Sequence, residues 1–372
     1  MNKIIYLLGS FVEDNRTSMD LYLGQIYHSQ SNYEIRRFIP KSLKFRNTKW
    51  LNFRFLDIFN RYIYYPLQIL TLKSDIYHIT DHCYSHLIFF LPPKKIIVTV
   101  HDIIPILGYK KIIPNFKYLH RPVLFYISLY FLKDINYIIT VSESTKNDLI
   151  QYCKIQPQNI YVVLNCVNPI YCNLPILKKN KLAKRFFPKT HNFFKIFITG
   201  SLSYKNHSTS LKIIEKLENS INTPIQLVIL KSKNTPLSFN INNHKLKYHP
   251  VIFENISNNK LFELYNSVDC LLFPSHYEGF GVPVIESMTC GVPVLISNIS
   301  PLTEISNGSA LVCDNNDLNT YVNYLIKLIS DKLFYEKIKQ KGIKNSEKFT
   351  YEKFVFENNK IYTKILSTIN ND

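Results

Sequence analysis

Two glutamates with seven residues between them frame a Gly-x-Gly turn in the string Glu278-Gly279-Phe280-Gly281-Val282-Pro283-Val284-Ile285-Glu286. Pro283 suits the first turn of a helix, where a missing N–H costs nothing. A helix start offers unpaired N–H groups and a partial positive charge, a natural seat for phosphate. The glycines let backbone approach a ligand closely. Carboxylates are poor company for a diphosphate but good acceptors for vicinal hydroxyls. One diphosphate with a diol on either side describes a nucleotide sugar.

These residues need a frame. Cys270–Pro274 reads as a buried strand, Ser275–Gly281 as a loop, Pro283–Cys290 as a helix closed by Gly291, and Val292–Ile296 as the next strand. Together they make a βαβ unit. A second loop of interest follows the strand Phe194–Thr199: Gly200-Ser-Leu-Ser-Tyr-Lys205-Asn206, in which Lys205 supplies a positive charge. Lys231 and Lys233, after the strand Ile225–Leu230, are the alternatives for that charge. A third follows Lys95–Val100, which ends in His101-Asp-Ile-Ile-Pro105. A histidine at the carboxyl end of a parallel strand lies where open α/β sheets bind ligands. Further strands are expected at Lys3–Leu8, Ile76–Ile79, Ile135–Val141 and Tyr161–Leu164, and helices at Ser18–Tyr27, Tyr62–Leu72, Pro122–Leu132, Leu261–Val268, Leu318–Ser330, Lys332–Lys341 and Phe349–Ser367.

The Glu-x7-Glu string, with Pro274-Ser275 before it and Cys290-Gly291-Val292-Pro293-Val294 after it, closely resembles the signature of family 4 glycosyltransferases. The segments VTVHDIIP and Gly200–Asn206 resemble the same family. The resemblance implies an α/β chain of GT-B architecture, two Rossmann-like domains facing a central cleft. The expected division is 1–173 for an acceptor-side domain, Leu174–Lys189 for the connection plus a short helix, 190–354 for a nucleotide-sugar domain, and 355–372 for a terminal helix crossing back. It implies a catalytic set of His101, Glu278 and Lys205, and donor binding by Gly200, Lys205, Gly279, Phe280, Gly281, Val282 and Glu286. It also implies retention at the anomeric carbon, with no metal and no cofactor beyond the donor substrate. Three positions depart from the usual pattern. Gly9 stands alone in the first loop, no arginine lies between Gly200 and Lys205, and Asn165-Cys166-Val167 replaces Asn-Gly-Val.

Composition bounds the rest. At 372 residues the chain suits two domains. Its 7 cysteines are scattered without a Cys-x-x-Cys, which fits reduced thiols rather than a disulfide frame or zinc site. The net charge of +18 calls for an anionic partner or a biased composition. Arg36, Arg37, Lys41, Lys44, Arg46, Lys49 and Arg54 alternate with Phe and Trp50, with no acid between Arg36 and Arg54. Basic and aromatic residues together suit the headgroup layer of an anionic bilayer; a solvated loop with inward aromatics is the competing reading. No run is long enough to span a bilayer. The expected function is transfer of a sugar from a nucleoside-diphosphate sugar to a hydroxyl of a glycan or lipid-linked acceptor, in cell-surface polysaccharide or glycan assembly. The expected location is the cytoplasm, at the inner membrane surface. The alternatives are a non-catalytic sugar-nucleotide-binding protein and a GT-B sugar-nucleotide epimerase. Nucleic acid is not an expected partner, because it leaves the Glu-x7-Glu string without a purpose.

Overall fold

The computed structural model describes residues 3–14, 17–29, 32–43, 53–114, 116, 127–232, 237 and 239–370. By internal contacts the chain falls into two units. The first comprises Met1–Ile106, Tyr118–Asn165 and Glu352–Asp372, and the second Leu107–Lys117 and Cys166–Tyr351.

Among the described residues the first unit carries a six-stranded sheet, parallel throughout. Its strands are β1 (Ile4–Leu8), β2 (Glu34–Phe38), β3 (Ile76–Ile79), β4 (Ile96–Val100), β5 (Ile138–Thr140) and β6 (Ile160–Val162). The spatial order is β2-β1-β3-β4-β5-β6. The second sheet, also parallel and six-stranded, holds β7 (Phe194–Thr199), β8 (Ile225–Lys231), β9 (Val251–Glu254), β10 (Cys270–Phe273), β11 (Val294–Ser297) and β12 (Leu311–Cys313). Its order is β12-β11-β10-β7-β8-β9. Numbered within the unit this is the doubly wound order 3-2-1-4-5-6, and its direction reverses between β7 and β10. Ligands of open α/β sheets bind beyond the carboxyl ends of the strands at such a reversal. The loops carrying Lys205 and Glu278 leave β7 and β10 there.

Strands covered on both faces read as unbroken apolar runs. β4, β10 and β11 are buried at every residue. Edge strands do not read this way. β2 is Glu-Ile-Arg-Arg-Phe with mostly exposed side chains, and it occupies part of the basic segment expected to lie on a membrane. β9 alternates half-buried and exposed residues, and β12 leaves its middle residue half-buried.

The stretch Leu174–Lys189, expected to hold the connection plus a short helix, falls in the second unit. It carries the helix Ile176–Phe186, whose Lys179 donates to the Cys290 carbonyl at 2.6 Å and whose Arg185 pairs with Glu263. The last helix, Tyr351–Asn370, buries Phe354, Asn358, Ile361, Tyr362, Ile365 and Leu366 along one face. It is tied to the first sheet through His78, whose ring nitrogens bond the Tyr362 hydroxyl and Thr99 Oγ1 at 2.7 Å each. Burial first, and then the neighbouring His101, pushes His78 down to about 3, so the ring is neutral. The helix expected over Tyr62–Leu72 starts earlier. It runs from Phe53 to Ile69 through a π-helical stretch at Asn60–Tyr64. Of the helix expected over Pro122–Leu132, residues 122–126 lie outside the described residues.

Candidate active site

β10 ends at Phe273, and the loop 274–281 leads into the helix Val282–Thr289. Gly281 adopts φ +105°, and a Cβ there would lie 2.6 Å from Leu302 Cδ2, so both backbone and neighbours demand glycine. Val284 N–H donates to the Gly281 carbonyl at 2.9 Å, which starts the helix with Pro283 in its first turn. Phe280 is buried edge-on against Phe349, with ring centroids 5.9 Å apart, and anchors the loop. Gly279 and Val282 are half-buried beside it.

The loop after β7 is fastened to this one. His276 N–H donates to the Tyr204 carbonyl at 2.7 Å, and Asn206 Nδ2 donates to the Pro274 carbonyl at 3.1 Å. Lys205 Nζ then reaches Glu278, at 2.7 Å from Oε1 and 3.0 Å from Oε2. The side chains are 13% and 8% exposed, so water screens this ion pair only weakly. The ammonium also lies 4.6 Å from the centroid of the Phe273 ring. Gly200 makes room for the lysine stem, since a Cβ there would lie 3.0 Å from Lys205 Cγ. His207 Nε2 donates to the Gly200 carbonyl at 3.1 Å, and burial together with the Lys205 charge pushes the ring down to about 4. Two polar atoms of this neighbourhood, Ser275 Oγ and Asn315 Oδ1, are buried without a hydrogen-bond partner among the described residues. Asn315 Nδ2 donates to the Ser275 carbonyl at 3.3 Å.

Glu286 is enclosed differently. The Tyr265 hydroxyl donates to its Oε2 at 3.0 Å, and Tyr171 bonds the same carboxylate. Burial raises Glu286 to about 7, and the two tyrosine hydrogen bonds offset part of that rise. The two glutamates therefore differ in kind: Glu278 is neutralised by a cation, Glu286 by tyrosine hydroxyls and partial protonation. Tyr171 and Tyr265 lie far from the signature in sequence and carry no local signal. Asn206 adjoins Lys205 and was legible by position.

Of the alternative phosphate cations, Lys231 pairs with Glu254 at 3.0 Å, and Lys233 lies outside the described residues. In the first unit, His101 follows β4 and is 7% exposed. Its Nε2 donates to the Thr80 carbonyl at 2.9 Å, its backbone N–H donates to His82 Nδ1 at 3.4 Å, and its ring meets Tyr22 edge-on at 5.0 Å. Asp81, His82 and Cys83 bring three metal-ligating atoms within 4.8 Å of one another. Asp81 uses its oxygens on Ser10 Oγ at 3.0 Å and Cys83 N–H at 2.9 Å, the pattern of a turn cap. Arg36 and Arg37 are engaged locally: Arg36 Nε donates to Glu34 at 2.7 Å, and Arg37 lies over the Tyr27 ring at 4.8 Å. Lys41 is exposed. Lys44, Arg46, Lys49 and Trp50 lie outside the described residues.

Comparison with known proteins agrees with this geometry. Two family models match in tandem, Glycosyltransferase Family 4 over residues 27–170 and Glycosyl transferases group 1 over residues 179–345. O-antigen chain mannosyltransferase B of Escherichia coli is 35% identical over 89 residues, covering 24% of this chain and 23% of that protein. O-antigen chain mannosyltransferase RfbU of Salmonella typhimurium is 25% identical over 234 residues, covering 60% and 62%. The chain thus spans between 23% and 62% of the length of these curated relatives. Anabaena HepE, solved with UDP and glucose, superimposes with a TM-score of 0.73 at 13% identity, over 99% of this chain and 100% of that one. At that identity the likeness speaks to the fold, which is GT-B. With both halves matched and the Glu-x7-Glu loop formed at the reversal of the second sheet, the chain belongs to the family 4, group 1 glycosyltransferases.

Proposed function

We propose that the protein transfers a hexose from a nucleoside-diphosphate sugar to a hydroxyl of a glycan or lipid-linked acceptor, with retention at the anomeric carbon. The observation that carries this reading is the Lys205–Glu278 pair, held between two loops at the sheet's reversal point. In the free protein each partner neutralises the other. An arriving diphosphate competes for the ammonium, and release of Glu278 leaves a carboxylate for the sugar hydroxyls. The start of the helix 282–289 adds backbone N–H groups for the phosphates. Glu286 takes the ribose diol, and His101 is kept as a proposed catalytic residue.

Chemically, the C1–O bond to the leaving phosphate breaks as the acceptor oxygen bonds C1 on the same face. The acceptor proton passes to the departing phosphate oxygen. The main demand on the protein is stabilisation of the leaving group, which Lys205 and the helix start meet electrostatically. The relatives' names favour mannose as the sugar and O-antigen or related polysaccharide as the product class. We also infer peripheral attachment to an anionic membrane surface through the basic-aromatic segment 36–55.

A thermal-shift panel of nucleoside diphosphates and their sugars on the full chain, followed by transfer from the labelled donor that stabilises most, tests the reading. Saturable stabilisation with transfer to a lipid or glycan fraction supports it. Stabilisation without transfer or hydrolysis indicates a binding protein, and interconversion of the sugar indicates an epimerase.

A further inference from the structure

A cavity of about 390 Å³ opens at the other end of the second sheet. Its wall includes Lys195 at the start of β7, Asp269 just before β10, and Gly291 ahead of β11. The Lys205 and Glu278 loops leave the opposite ends of β7 and β10. At roughly 3.3 Å per residue, the six residues of β7 alone separate the two ends by about 20 Å.

The charges in this cavity are unevenly matched. Lys195 Nζ bonds Asp269 Oδ2 at 3.2 Å and the Phe193 carbonyl at 2.7 Å. Lys339 Nζ bonds Glu336 at 3.0 and 3.2 Å. Lys179 differs: among the described residues it has no salt-bridge partner, and it donates to the Cys290 carbonyl at 2.6 Å. An ammonium has three hydrogens to donate. Three lysines thus face two carboxylates, and one ammonium keeps donor capacity toward the cavity. Asn180 and Asn192 add amides suited to hydroxyls. The volume falls within the roughly 300–1,000 Å³ range of small-molecule sites.

We propose that this cavity is a second ligand site, separate from the Lys205–Glu278 site, that binds a small hydroxylated anion through Lys179. Its ligand is a sugar phosphate or a sugar acid, since both present anionic oxygen to the ammonium and hydroxyls to the amides. Lys179 also holds the Cys290 carbonyl at the end of the helix that begins beside Gly281, so occupancy bears on one end of the signature helix.

Calorimetric titration of the full chain with glucose 6-phosphate and, separately, gluconate tests the site. Saturable binding of either probe, retained in the presence of saturating UDP and weakened tenfold or more by Lys179→Met, is the expected result. Binding of the first probe alone identifies phosphate as the anion, and of the second alone carboxylate. No binding by either probe, loss of binding in UDP, or unchanged affinity in the variant overturns the proposal. Should the variant fail to fold, acetylation of the wild-type chain decides. Burial holds the Lys179 amine down at about 8, which favours its reaction at neutral pH. Bound probe should slow acetylation of Lys179 by several-fold and leave Lys178 on the same helix unchanged. Equal acetylation of Lys179 with and without probe overturns the site.

Discussion

Lys205 and Glu278 form a mostly buried pair, so removing one partner strands the other. Breaking such a pair costs about 3–5 kcal/mol, whereas replacing both partners is far milder. Lys205→Ala should therefore destabilise the chain and abolish transfer, and adding Glu278→Gln should restore stability without restoring transfer. Urea unfolding of the two variants reads the first effect and a donor-turnover assay the second. A Lys205→Ala chain as stable as wild type would show that water screens the pair, and retained transfer would remove the lysine from the mechanism. Glu278→Gln alone should lower turnover more than UDP affinity, because its proposed partner is the sugar. Glu286 calls for a different experiment. Its carboxyl stands at about 7 in the folded chain against 4.5 unperturbed. Between those values the folded state holds a proton that the unfolded state has lost, so this group's contribution to stability declines as pH rises from 4.5 through 7. Glu286→Gln removes that dependence. Relative to wild type it should gain on the order of 3 kcal/mol between pH 4.5 and pH 8. A gap independent of pH would mean that Glu286 ionises normally. Glu286→Ala should weaken donor binding by about 1–3 kcal/mol, read by calorimetry. The signature glutamates were legible because they sit in one continuous string. Tyr171 and Tyr265, which set the state of Glu286, were not, because only tertiary folding brings them to it.

Elements explain why the site forms where it does. The strands β7 and β10 diverge in winding direction, which leaves a crevice between the loops that follow them. Gly281 turns one loop into its helix, and the surrounding side chains leave no room for a Cβ. Gly308 provides a matched control: its φ is +75°, and nothing lies within 4 Å of where its Cβ would be. Gly308→Ala should cost about 1–2 kcal/mol from the left-handed backbone alone. Gly281→Ala should cost more and should also weaken UDP binding, because Leu302 and Ile305 must move. Melting temperatures of the two variants with and without UDP check this. Equal losses, with UDP stabilising both equally, would mean that the turn is not crowded. The same elements show what apolar pattern can reveal. The core strand β7 coincides with its expected span, and β4 with its own to within one residue, because double-sided burial writes an unbroken apolar run. β2 escapes that test, since an edge strand needs only one covered face and here displays Arg36 and Arg37. The short helix expected within Leu174–Lys189 is present as Ile176–Phe186, although Lys178, Lys179, Lys181, Lys184 and Arg185 give the stretch a linker-like composition. Lys179 and Arg185 tie it to the rest of the second unit.

At the scale of the whole molecule the open matter is how a strongly basic chain meets an acceptor. Among the described residues no helix is long and apolar enough to cross a membrane. The helical stretch 53–69, with Leu70 just beyond it, nevertheless turns Phe55, Ile58, Ile63, Leu67 and Leu70 outward, each between 41% and 60% exposed. The step of five between Ile58 and Ile63 crosses the π-helical stretch Asn60–Tyr64, where a wider turn accommodates an extra residue. This apolar row follows directly on the basic segment that contains Lys41, Lys44, Arg46, Lys49 and Trp50. Arg36 and Arg37 contribute less than their sequence positions imply, since one is paired with Glu34 and the other stacks on Tyr27. Each cation near an anionic surface is worth about 1 kcal/mol and is screened by salt. The proposed adsorption then rests on two terms that respond to different substitutions. Sedimentation with liposomes should require anionic lipid and weaken with salt. Lys44→Ser with Arg46→Ser and Lys49→Ser should remove the salt-sensitive part, and Ile63→Ser with Leu67→Ser the part that survives high salt. Equal sedimentation with neutral liposomes would discard the electrostatic half of the proposal. An absence of binding to anionic liposomes would discard both halves and turn the search for the acceptor to free glycans.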